Sequence, residues 1–113
     1  MEIVWEKEAE RKLAQYKRKH YPVKDIGPCL EAIIKKDNKV LRRIKDHALT
    51  GDWSGYRCFH PGRFNSKRKT MDDWIVVYII DHNKLIVTVA TTGPHKILKQ
   101  KKKSFFKRNK SRK

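Results

Sequence analysis

Three histidines and one carboxylate carry the chemistry this chain offers. His47 closes Lys45-Asp46-His47, just ahead of Gly51-Asp52-Trp53-Ser54-Gly55-Tyr56-Arg57. His60 ends the next strand-like run, Asp73-Trp74 opens a strong apolar strand, and His95 follows Thr92-Gly93-Pro94. Imidazole titrates near neutral pH and gives or takes a proton. Cationic side chains hold a phosphate and stabilise the extra charge of its transition state. Together these are the parts for cutting RNA without a metal. The 2′-hydroxyl attacks the adjacent phosphorus, so the reaction needs a base near that hydroxyl, an acid near the leaving 5′-oxygen and positive charge around the phosphate. His95 reads as the acid, and Asp73 or His60 as the base. His47 orients a partner or stabilises charge, and Lys45 and Arg57 are phosphate contacts. No cofactor is called for. Cys58-Phe59-His60 has neither the number nor the spacing of zinc ligands, so no metal site is expected.

Each of these residues also has a packing role open to it. His60 alternates with Tyr56 and Cys58 on one strand face, a position that suits a half-buried residue. Arg57 faces the other way in a regular strand and is open to pairing with a scaffold acid. Trp53, Trp74 and Tyr78 are of the size and type that fill cores, and Cys29, on a helix, reads as core. His20 and His82, at a helix end and in a turn, read as surface residues. What favours a site is position: the histidines and Asp73-Trp74 fall near strand ends and in loops, where sites are usually built.

The charge points to a polyanionic partner. The 113 residues carry 29 Lys and Arg against 12 Asp and Glu, a net +17, and such a chain seeks nucleic acid. No acidic residue follows Asp81, and ten of the eighteen positions from Lys96 to Lys113 are basic. That stretch reads as a solvated tail or as a phosphate-binding arm with Phe105-Phe106 stacking on bases. The length suits one domain, placed at 1–98, with 99–113 as the basic tail. Two cysteines are too few for a disulfide scaffold and point to a reducing compartment. With no membrane-length apolar run and no signal-like start, a cytoplasmic location is expected.

The elements that must position the site follow from pattern. Ile3-Val4-Trp5 reads as an edge strand. Ala9, Leu13 and Tyr16 are at helical spacing in a segment from Glu6 to His20 that Tyr21-Pro22 ends. Ile26, Leu30, Ile33 and Ile34 mark a second helix, capped by Asp25 with Pro28 in its first turn. Val40, Leu41 and Ile44 extend an apolar face toward His47. Tyr56 to His60, Trp74 to Ile80 and Leu85 to Ala90 read as strands, with Asp81-His82-Asn83-Lys84 as a hairpin turn. Trp74 to Ile80 is apolar on both faces and therefore central. The class is α+β, β-α-α-β-β-β, an antiparallel sheet with two helices packed on one face.

The ordered set Lys45-Asp46-His47, Leu49-Thr50-Gly51-Asp52-Trp53-Ser54-Gly55-Tyr56-Arg57, His60, Asp73-Trp74 with its strand to Tyr78, and Thr92-Gly93-Pro94-His95 resembles the YafQ-type branch of the RelE/ParE superfamily of toxin–antitoxin toxins. The resemblance covers nearly the whole domain and implies a RelE-like fold. It implies a toxin that enters the ribosomal A site and cleaves mRNA there, contacting mRNA and rRNA. The implied catalytic set is His47, His60, Asp73 and His95, with Trp74 helping to form the site as an RNA contact. An acidic antitoxin is the implied partner, with oligomers formed only through it. The segment Pro61 to Asp72 is longer than the family's hairpin and basic, adding Arg63, Lys67, Arg68 and Lys69 as RNA contacts and Asp72 as a second carboxylate beside Asp73. Lys96 and Lys99 add to the same basic surface, Lys99 standing where the family often has Phe. Two other classes stay open: a ParE-type gyrase poison, which needs no histidine set, and a non-enzymatic RNA- or ribosome-binding protein, which the charge alone would suit.

Overall fold

The helical spacings read from the sequence fold as expected. In the computed structural model, which describes residues 1–65 and 71–99, they form α1 (Lys7–Arg18) and α2 (Ile26–Lys35). Ile26, Cys29, Leu30 and Ile33 recur at i, i+3, i+4 and i+7, so one stripe of α2 is buried. Asp25 is not a side-chain cap: it closes a single 3₁₀ turn, Val23–Asp25, that runs directly into α2 with Asp25 already in helical backbone. Lys36 ends α2 at φ +57, and the next residue, Asp37, caps a third helix, α3 (Asn38–Arg43), by accepting the Val40 N–H at 3.4 Å.

Five strands follow the order β1-β5-β4-β3-β2 across one sheet: β1 (Glu2–Trp5), β2 (His47–Ala48), β3 (Arg57–Phe59), β4 (Trp74–Asp81) and β5 (Ile86–Pro94). The helices carry the chain from β1 to the far edge of the sheet. The meander β2 to β5 then returns, and β5 arrives beside β1 running the same way. The β1–β5 pair is therefore parallel and the sheet mixed, while the other pairs are antiparallel as expected.

Alternation along the strands makes two buried faces. Trp74, Val76 and Tyr78 of β4, with Phe59, Val87 and Val89, pack against the helices. Ile75, Val77, Cys58 and Ala90 face the other way and are covered by Trp53 and Ile97, each carried on a short 3₁₀ segment. Both faces of β4 are thus closed from Trp74 to Tyr78, as its apolar run requires; full burial of one such side chain is worth about 1.5–3 kcal/mol. A bulge opposite Val77 and Tyr78 leaves Ala90 without a cross-strand partner, which lets Val89 and Thr92, three residues apart, share the helix face. Gly93 is fixed by contact: a Cβ there would lie 3.0 Å from Ile97 Cγ2. Ile97, on the 3₁₀ segment His95–Lys99, thus packs back onto the end of β5.

Candidate active site

The three histidines meet at one end of the sheet. β3 and β5 finish there, while β2 and β4 start there, so the residues just past those strand ends are neighbours in space. The rings of His60 and His95 stand 5.9 Å apart, centroid to centroid, and 32° from parallel. His47 sits directly across from Cys58 on the next strand. Asp73, exposed at the start of β4, accepts the backbone N–H of His95 on Oδ1 at 3.3 Å. The His60 backbone N–H is held in turn by the Ile44 carbonyl at 2.7 Å, which ties the end of α3 to the site.

Hydrogen bonds fix two of the imidazoles. His60 Nδ1 lies 2.7 Å from the Asp72 carbonyl oxygen, which can only accept, so Nδ1 carries the proton and Nε2 the lone pair. The His60 side chain is only 10% exposed. Burial pushes its pKa below the ordinary 6.5, the neighbouring His95 and His47 push the same way, and Asp72 opposes them. The downward shift favours the uncharged imidazole, which is the form a general base requires. His47 Nδ1 likewise donates to the Lys45 carbonyl at 2.7 Å. Its Nε2 lies 3.5 Å from Cys58 Sγ, a thiol that burial pushes up to about 11 and so keeps protonated.

The long segment after His60 is gathered at its base. Arg63 grips both carboxylate oxygens of Asp72, with Nη2 to Oδ2 at 2.8 Å and Nε to Oδ1. A Cβ on Gly62 would lie 2.9 Å from the Met71 carbonyl oxygen, so the two stems approach as only glycine allows. The Arg63 guanidinium holds the Asp72 carboxyl below the usual carboxylate range. Asp72 is therefore committed to Arg63, and Asp73 is the carboxylate beside His95. Lys67, Arg68 and Lys69 lie outside the described residues, as does the tail from Gln100 to Lys113 with Phe105-Phe106.

Three residues expected to touch RNA, Trp74, Arg57 and Arg63, are engaged within the protein. Trp74 is buried, stacked on Tyr16 at 5.6 Å and edge-on to Tyr21 at 5.2 Å, and its Nε1–H donates to Thr92 Oγ1 at 2.8 Å. Its ring offers no face to a base, because its own strand parity turns it into the helix-covered core. Arg57 binds Asp46 Oδ2 through Nη2 and Nε at 2.8 and 3.2 Å, the scaffold pairing that its strand face allowed. Arg63 is held by Asp72 as described, whereas Lys45, Lys96 and Lys99 are exposed. Asp46 has no role in the sequence reading and is a hub here: its side chain is 6% exposed and takes both Arg57 and the Tyr78 hydroxyl, which anchors the turn that presents His47. Its place in Lys45-Asp46-His47 was the available signal. Among the described residues, no three His, Cys, Asp or Glu side chains are grouped as metal ligands, and no helix is long and apolar enough to cross a membrane.

Helices on one side of a five-stranded sheet, with β1 parallel to β5 and a meander behind it, define a RelE-like fold. YafQ from E. coli strain BL21(DE3) matches it with a TM-score of 0.66 at 20% identity, over 86% of this chain and 96% of that one. The E. coli DinJ–YafQ complex matches with a TM-score of 0.65 at 21% identity, over 86% and 96%. A copper-bound mutant toxin from Helicobacter pylori matches with a TM-score of 0.68 at 18% identity, over 87% and 98%. No curated protein matches the sequence. Residues 1–100 match the family model described as bacterial toxin of type II toxin–antitoxin system, YafQ. The chain belongs to that family of toxins.

Proposed function

We propose that this toxin is a ribosome-dependent mRNA endoribonuclease working by metal-independent acid–base catalysis in the A site. The observation that carries the proposal is the approach of His60 to His95, one imidazole buried and kept neutral, the other exposed. His60 Nε2 takes the proton of the 2′-hydroxyl as its oxygen bonds to phosphorus. The bond from phosphorus to the 5′-oxygen breaks, and His95 supplies the proton to that oxygen. The products are a 2′,3′-cyclic phosphate and a 5′-hydroxyl. Asp73 serves as a positioning residue through the His95 N–H, and His47 with the surrounding cations meets the phosphate charge. Lys45, Lys96 and Lys99 are the exposed described cations for RNA contact, supplemented by Lys67, Arg68, Lys69 and the basic tail.

The toxin works in the cytoplasm, where translating ribosomes are. E. coli YafQ is solved as a toxin–antitoxin complex with DinJ. By analogy, an acidic antitoxin covers the basic face of this chain, with a salt-sensitive association rate, and the toxin has no oligomer apart from it. The test is expression with and without the neighbouring antitoxin, followed by mapping of mRNA ends. New ends on ribosome-bound messages, with 5′-hydroxyl and cyclic or 3′-phosphate termini, are expected. Growth arrest with intact mRNA and damaged DNA topology would sink the nuclease reading in favour of a gyrase poison.

A further inference from the structure

An open groove of about 710 Å³ lies beside the histidines, between α3 (Asn38, Leu41, Arg42) and the turn Lys45 to His47, with Arg57 completing its wall. Its charges are unevenly presented. Asp46, the one carboxylate in the lining, is turned inward and covered by Arg57 and Tyr78. Arg42 and Lys45 are exposed and form no ion pair among the described residues. Arg42 is tethered along α3 by donation from Nε to the Asn38 carbonyl at 3.4 Å. Lys45 is held at φ +56, in the left-handed region, and its carbonyl receives His47 Nδ1–H. Non-glycine residues kept in that conformation concentrate at functional sites.

The groove is continuous with the candidate active site. His47 belongs to both: it lines the groove, touches Cys58 and is close enough to His60 to act on its charge. Lys45 acts in the same way on Asp72. We infer that the groove binds the sugar–phosphate backbone of single-stranded RNA, with Arg42 and Lys45 on phosphates flanking the bond presented to His60 and His95. The position of the scissile bond rests on the nuclease reading; the RNA binding does not. Phosphate contacts away from the reacting bond set the register of a strand, and a flexible strand needs them more than a rigid duplex does. An acidic peptide would meet the same cations, but helices and strands that dock in grooves insert several apolar anchors. Here Leu41 is the one aliphatic residue in the lining, enough for a ribose or a base edge.

The test is fluorescence anisotropy of a labelled, uncleavable 2′-O-methyl oligouridylate against the full-length protein over a range of salt. Arg42→Ala should weaken binding and lower the slope of log affinity against log salt by about 0.7, the single-strand value for one lost phosphate contact. Arg42→Glu should weaken it further. Lys84→Ala, the same change of charge in the turn at the opposite end of the sheet, should match the wild type. Equal losses for Arg42→Ala and Lys84→Ala, an unchanged slope, or no measurable binding by the wild type would each overturn the groove. So would a weakened antitoxin complex with RNA binding intact, which would assign the surface to the antitoxin. If Arg42→Ala loses RNA affinity while the wild type leaves mRNA uncut, the groove stands and the nuclease reading falls. Cleavage of mRNA together with full RNA affinity in Arg42→Ala gives the reverse.

Discussion

The β4–β5 ribbon carries an aspartate and a histidine at each end, yet the two ends differ in kind. At the hairpin, Asp81 Oδ1 accepts the N–H groups of Asn83 and Lys84 at 3.0 and 3.1 Å, and His82 is exposed in the same turn. That aspartate closes its own loop, a common use of the residue. At the other end Asp73 reaches a partner 22 residues away in sequence, the His95 N–H, and β3 brings His60 alongside. A hairpin turn gathers only sequence neighbours. Acid–base work on one bond needs groups delivered from separate segments to opposite sides of it, and only the strand-end cluster provides them.

The comparison breaks most sharply under histidine removal. His60→Ala and His95→Ala should each slow single-turnover mRNA cleavage by about 10²–10⁴-fold, whereas His82→Ala should cut like the wild type. Equal losses at all three positions would erase the distinction between the ends. Replacing the aspartates should give a smaller contrast. Asp73→Ala frees the His95 backbone and should cost up to about 10²-fold in rate, with Asp73→Asn recovering much of it because an amide oxygen still accepts. Asp81→Ala should leave the rate alone and cost about 0.5–1.5 kcal/mol in thermal unfolding. Loss of cleavage in Asp81→Ala would contradict a purely local role.

The pH profile sharpens the same contrast. Burial lowers the His60 pKa, so the folded chain binds that proton less readily than the unfolded chain. The cost is small at neutral pH and absent well above it; stability declines as pH falls through 6.5 toward the folded value. The acid limb of kcat/KM should fall below pH 6.5, with the rate dropping tenfold per unit beneath it. An acid limb at or above that value would remove His60 as the base. The smallest effect should come from Arg63→Ala. Loosening Asp72 should slow cleavage severalfold through His60 while leaving the salt dependence of RNA binding unchanged; a flatter salt dependence would instead make Arg63 a phosphate contact.

Much of the fold was legible because burial imposes period on sequence. The spacing of Ile26, Leu30 and Ile33, the apolar run of β4 and the turn at Asp81 each have one structural solution. What was missed rests on non-local contact. β5 runs on to Pro94 through Thr91-Thr92-Gly93, past the Ala90 end read from the sequence; the Thr92 hydroxyl is satisfied by Trp74 Nε1 and Ile75 O, and Gly93 makes room for Ile97. Val40, Leu41 and Ile44 showed an apolar face but not a separate helix, and the two-residue β2 is too short to leave a periodic trace. For the candidate site, residue type identified the histidines and Asp73. The sequence could not show that Trp74 faces the core, that Asp72 is taken by Arg63, or that Asp46 supports the His47 turn, since each depends on what lies opposite.

The closed neck at Gly62 and Met71 also bears on how this chain can change. Arg63 and Asp72 join the two stems beside Gly62 and Met71, so the placement of His60 and Asp73 is braced by the stems themselves. For the engineer the neck marks a place to try a tag or a foreign recognition sequence, since the Arg63–Asp72 pair would hold His60 and Asp73 in place.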